Sequence, residues 1–128
     1  MAAGSEHGVG IMARVPTSSG LLDDTLSPDT TFGPSDHRRH RPKEWLVEGL
    51  EKIERIRFLC EDAGRTMPQA ALRFILDSGI TTVIPTIASE QELRTYASAA
   101  EAPPLSEEEL ARIGELYERN FDVEPVSA

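Results

Sequence analysis

A single cysteine, Cys60, leaves the chain without an intrachain disulfide and without the ligands of a cysteine-built zinc site. It lies among Phe58, Leu59 and Ala63, which makes it a small core residue rather than a nucleophile, and it fits a reducing cytoplasm. No apolar run approaches the roughly 20 residues that span a bilayer. The first residues lack a charged segment followed by a long apolar one, so no secretory signal is expected. His37 and His40 have no partner at metal-ligand spacing, and a metal site is not expected. Lysine is scarce, with Lys43 and Lys52 alone. Positive charge is in deficit overall: the net charge is −9. Residues 1–43 hold five acidic and five basic side chains, and residues 44–128 hold seventeen and eight. An acidic second half argues against nucleic acid and anionic membranes as partners, and serves solubility. No internal repeat is present.

What remains is the composition of one globular domain: 128 residues, 39% apolar and 27% charged. Its central stretch is Ile80–Tyr96, ITTVIPTIASEQELRTY. The β-branched run Ile80–Ile84 reads as a buried strand, and Pro85 ends it because proline cannot donate to a ladder. Ser89 followed three residues later by Glu92 is a capping box, so a helix begins there. A strand end feeding a helix N-terminus offers orphan N–H donors and a favourable dipole to an anion such as phosphate. The alternative is an ordinary α/β layer without a ligand.

In chain order, residues 1–7 are small and polar and expected to fray. A strand is expected over about 9–15, closed by Pro16, with the small-residue turn Thr17–Gly20 at its C-terminal end, where α/β folds carry ligands. A long loop over 21–43 contains the charged cluster Asp36–Arg41, a phosphate-binding candidate or a solvated loop with local Asp–Arg pairing. Helices are expected over 44–63, 66–78, 89–100 and 106–119, with a second strand over about 80–84 and a flexible tail over 121–128. Capping boxes at Thr66/Gln69 and Ser106/Glu109 mark two of the helix starts. Two strands joined through helices run parallel. A two-stranded parallel sheet cannot close a barrel, yet both strands are apolar on both sides, as in part of a larger α/β layer.

Four stretches, Val9–Leu22 (VGIMARVPTSSGLL), Asp29–Arg38, Gln69–Leu76 (QAALRFIL) and Val83–Glu101, together with LSEEELARI, carry a resemblance. Over about Gly8 to Asn120 the chain resembles the C-terminal portion of the aldo-keto reductases. The resemblance implies an α/β fold that is part of a TIM (β/α)8 barrel, here its last two strands, and NADP as cofactor. It also implies a cofactor-binding set: Arg14 where an aromatic residue packs on the nicotinamide, Pro16, Thr17, Ser18 and Gly20 beside the pyrophosphate, and Thr86, Ile87, Ala88, Ser89, Glu92 and Tyr96 around the adenosine 2′-phosphate and adenine. Several of these depart from the family pattern. Glu92 brings a negative charge where a cation or amide is usual, Tyr96 replaces an asparagine, and a basic residue sometimes found at Ala88 is missing.

The resemblance places the family's catalytic Asp, Tyr, Lys and His on earlier strands, so no catalytic residue is assigned to this chain. The implied function is an NADP-dependent oxidoreductase fragment that is inactive alone. One alternative is a binding or regulatory module that associates with itself or with a partner completing the barrel. Another is an active carbonyl reductase whose N-terminal part precedes Met1.

Overall fold

The computed structural model describes residues 6–61 and 63–124. Residues 1–5 and 125–128, within the two ends expected to be loose, lie outside them. Strand β1 (Met12–Arg14) pairs in parallel with β2 (Thr82–Ile84), setting Met12 opposite Thr82, Ala13 opposite Val83 and Arg14 opposite Ile84. The helices are α1 (Lys43–Arg55), α2 (Met67–Asp77), α3 (Glu90–Ala97) and α4 (Glu107–Glu118). The expected elements therefore stand among the described residues: two parallel strands and four α-helices in an α/β arrangement.

Boundaries differ in three places: in the two strands, in the helix expected over 44–63, and in the helix expected over 89–100, which is α-helical to Ala97 and 3-10 over Ser98–Ala100. Both strands are shorter than expected, because each has one neighbour and a ladder forms only where the two meet. Pairing starts just before the strands proper, where Thr81 N donates to Ile11 O at 2.9 Å and Ile11 N to Thr81 Oγ1 at 2.9 Å. The expected helix over 44–63 ends at Arg55; Ile56 leaves helical geometry (φ −107°, ψ 12°) and a 3-10 turn follows over Arg57–Leu59. Ile53, Ile56 and Leu59 are three apart, a spacing that a 3-10 turn satisfies as well as an α-helix does. Apolar periodicity alone could not separate the two.

The starts of the other helices follow their side chains. Capping boxes at Thr66/Gln69, Ser89/Glu92 and Ser106/Glu109 are all formed. Pro68 sits in the first turn of α2, where its missing N–H costs nothing.

The core lies among the helices, on one side of the sheet. Leu21, Leu46, Ile53 and Met67 form one cluster, with Cys60 packed against it. Leu59, Ala70 and Leu105 form a second. Leu72, Tyr96 and Ala99 form a third, which Val83 of β2 joins. Leu46, Met67 and Leu72 are fully buried, each contributing about 1.5–3 kcal/mol. Arg65 is also buried and ties the segment before α2 to the segment before α4. It donates to Leu59 O (2.7 Å), Pro103 O (3.1 Å) and Pro104 O (2.9 Å), and pairs with Glu109.

The strands themselves are not buried as expected. Helix α2 covers the face that carries Val83, while the alternate positions are bare: Met12 is 59% exposed and Ile84 45%. Side chains alternate across a strand, so Met12, Arg14, Thr82 and Ile84 share that second face. Of the tail expected from residue 121, the first part is held: Asn120 Nδ2 donates to Val123 O at 2.6 Å and Val123 is buried.

Candidate functional site

The loop after β1 is wound tightly. Val15, Ser18, Ser19 and Asp24 all lie at positive φ (56°, 52°, 59° and 57°), unusual for residues with a side chain, and Gly20 joins them at 93°. Gly20 N and Leu22 N both donate to Thr17 O at 3.1 Å, folding the loop back on itself. A β-carbon on Gly20 would lie 2.8 Å from Arg38 Nη1. Glycine here lets the guanidinium reach Ser19 O at 3.2 Å, and so docks the Asp36–Arg41 cluster against the loop.

Arg38 is held from the other side by Asp36. Its Nε lies 3.0 Å from Oδ1 and its Nη2 2.7 Å from Oδ2, and the backbone N of Arg38 donates to Oδ1 at 2.8 Å. These bonds hold the Asp36 carboxyl down at about 2. The guanidinium also lies 4.6 Å from the centroid of the Phe32 ring. Of the two readings of this cluster, the geometry is that of local Asp–Arg pairing.

Opposite this loop stands α3. Tyr96 is buried, and its hydroxyl donates to Asp23 Oδ1 at 2.9 Å, joining residues 73 apart in sequence. The buried Thr17 hydroxyl shares this hydrogen-bonded group. Burial pushes the Asp23 carboxyl up, with Tyr96 and Thr17 pulling against it, and burial together with Asp23 pushes the Tyr96 phenol up. At the start of α3, Glu92 Oε2 accepts from Ala88 N (2.6 Å) and Ser89 N (3.0 Å), and Glu92 N donates to Ser89 Oγ at 3.1 Å.

The expected cofactor-binding set is therefore brought together only in part. Thr17 and Tyr96 meet at Asp23, and Ala88, Ser89 and Glu92 meet in the cap. Gly20 stands at Arg38. Pro16 is buried and turns away, lining an apolar cavity of about 300 Å³ with Leu22, Met67 and Phe74. Arg14, Ser18, Thr86 and Ile87 are exposed. Sequence reasoning missed Asp23 altogether, and no local pattern marks it. Arg38 and Asp36 were visible as a charged cluster, but their docking on Gly20 was not. Burial raises the Cys60 thiol, which suits its place against the first core cluster. Among the described residues no three His, Cys, Asp or Glu side chains are grouped to hold a metal ion, and no helix is long and apolar enough to cross a membrane.

A parallel strand pair backed by helices, with the loop after its first strand tied to a later helix through Asp23 and Tyr96, is laid out as one edge of an α/β barrel. The family model of the aldo/keto reductases matches residues 1–118, and the chain belongs to that family. Among solved structures it is similar to the glycerol dehydrogenase AKR11B4 from Gluconobacter oxydans, with a TM-score of 0.77 and 20% identity. The likeness, which at this identity is one of fold, covers 99% of this chain and 40% of that one. No curated protein matches the chain.

Proposed function

We propose that this chain is the C-terminal part of an aldo-keto-reductase-like barrel, holding part of the cofactor-binding side and unable to reduce carbonyls alone. Two observations support this reading. The face of β1 and β2 that bears Met12, Arg14 and Ile84 lies bare, and the chain spans 40% of the solved relative it matches. Hydride transfer needs a fixed nicotinamide, a fixed carbonyl and a group that protonates the carbonyl oxygen. Aldo-keto reductases generally use NADP(H). In this chain the groups gathered at the cradle are not suited to the proton's delivery. Tyr96 already donates its proton to Asp23, its phenol is raised, and it lies inside the packed third cluster. The test is reduction of a panel of aldehydes by the purified chain with NADPH or NADH. No turnover above the protein-free rate is expected, and measurable turnover refutes the proposal.

A second reading rests on the same bare face. Exposed apolar side chains beside unpaired strand edges are what an associating module presents. In that reading the chain's role is to join a partner, or a second copy, that supplies neighbouring strands. Sedimentation of a folded monomer with no tendency to associate at tens of micromolar would count against it.

A further inference from the structure

The adenosine end of the cradle is closed by the chain's own carboxylates. Glu92 Oε2 takes the N–H groups of Ala88 and Ser89, the donors that an incoming anion at the start of α3 would need. Cations are no better placed. Arg94 is the sole cation between Thr86 and Ala97. It is turned along the helix to Glu90, with Nη2 and Nε lying 2.6 Å and 3.0 Å from Oε1. On the facing loop, Arg38 is held by Asp36 and by Ser19 O. The half-buried carboxylate of Asp23 stands on that same wall, near enough to Glu92 for the two to repel. A phosphate dianion seated between Thr86 and Tyr96 would therefore meet the carboxylates of Glu92 and Asp23, with the Ala88 and Ser89 N–H groups already taken by Glu92 and with Arg94 and Arg38 paired to Glu90 and Asp36.

Resting on the reading of this chain as part of an aldo-keto-reductase cradle, we infer that its adenosine end excludes a 2′-phosphate and that Glu92 is the residue that excludes it. The residues present do not fit NADP. The cradle they form discriminates in favour of a dinucleotide whose adenosine ribose keeps both hydroxyls free.

Calorimetric titration of the purified chain with adenosine 2′,5′-bisphosphate and with 5′-AMP tests this directly. Two variants accompany it: Glu92→Gln, which keeps a capping-box residue at that position, and Ala88→Arg combined with Glu92→Gln, which adds a cation. Circular dichroism confirms that each is folded. The native chain should bind the bisphosphate more weakly than it binds 5′-AMP, and equal affinity for the two overturns the inference. The double variant should bind the bisphosphate at least about tenfold more tightly than the native chain does, with no matching gain for 5′-AMP. Native binding that favours the bisphosphate overturns the inference, and so does a folded double variant that gains nothing. Turnover of the native chain with NADH would defeat the proposal of inactivity and leave this inference standing. Preferential binding of the bisphosphate by an inactive chain would do the reverse.

Discussion

Replacing Arg65 with alanine should be the most damaging single change outside the aliphatic core. The Arg65 side chain is 2% exposed, and it satisfies three backbone carbonyls, those of Leu59, Pro103 and Pro104, besides the Glu109 carboxylate. Truncation leaves a carboxylate that is itself 19% exposed without its partner. Removing one member of a buried pair costs about 3–5 kcal/mol, against a total stability on the order of 5–15 kcal/mol for a domain. The midpoint of thermal unfolding should fall by on the order of 10–20 °C. Arg65→Lys keeps the charge but cannot spread its donors over four acceptors, and should lose roughly half as much.

The acid side of the stability curve supplies an independent check. Burial raises the Glu109 carboxyl, but the Ser106 N–H and the Arg65 guanidinium outweigh it and hold it below its ordinary value. A carboxyl lowered by folding stabilises the native state above its unfolded pKa of about 4.3. That contribution is lost as the pH falls through the folded value. Urea denaturation followed by circular dichroism between pH 7 and pH 3 should show this loss in the native chain, and a shallower one in Arg65→Ala. A loss below about 1 kcal/mol at pH 7, the level of a surface pair, would refute the assignment of Arg65 as the pin between these segments.

Tyr96→Phe removes the proton donated to Asp23 and leaves a half-buried carboxylate one partner short; it should cost about 1–2 kcal/mol in the same assay, and Asp23→Asn should restore part of the loss. Val15 holds a β-branched side chain at φ 56° with the side chain half exposed, so Val15→Gly should stabilise by up to about 1 kcal/mol, read as a higher urea midpoint at unchanged slope. Placing lysine at Met12 and Ile84 charges the bare sheet face; if the chain self-associates through it, sedimentation should move toward monomer with the helical content unchanged.

Local chemistry made much of this fold legible. The three capping boxes marked three helix starts to the residue, because each is written as a hydroxyl and an acid or amide three positions apart. The parallel pairing followed from two β-branched or apolar runs separated by helical pattern. The break at Ile56 was illegible, because the apolar spacing there is common to two kinds of helix. Strand burial differs from expectation for another cause: apolar character shows what a strand can pack against, and here the face bearing Met12 and Ile84 is left exposed among the described residues. At the candidate site, the cap of Glu92 could be read from sequence, whereas the Asp23–Tyr96 contact joins residues 73 apart and belongs to tertiary packing. Arg38 illustrates the intermediate case. Its pairing with Asp36 is local and readable, but its passage over Gly20 to Ser19 depends on a loop geometry that no short pattern encodes.

The two strands meet through partners some seventy positions apart, as Ile11 and Thr81 show. Closing so long a loop costs entropy that a ladder of three residues on each strand returns only in part, so the sheet is expected to open more readily than the helical core. In deuterated buffer, the amides linking Ile11 to Thr81 and Thr82 should exchange well ahead of those inside α2.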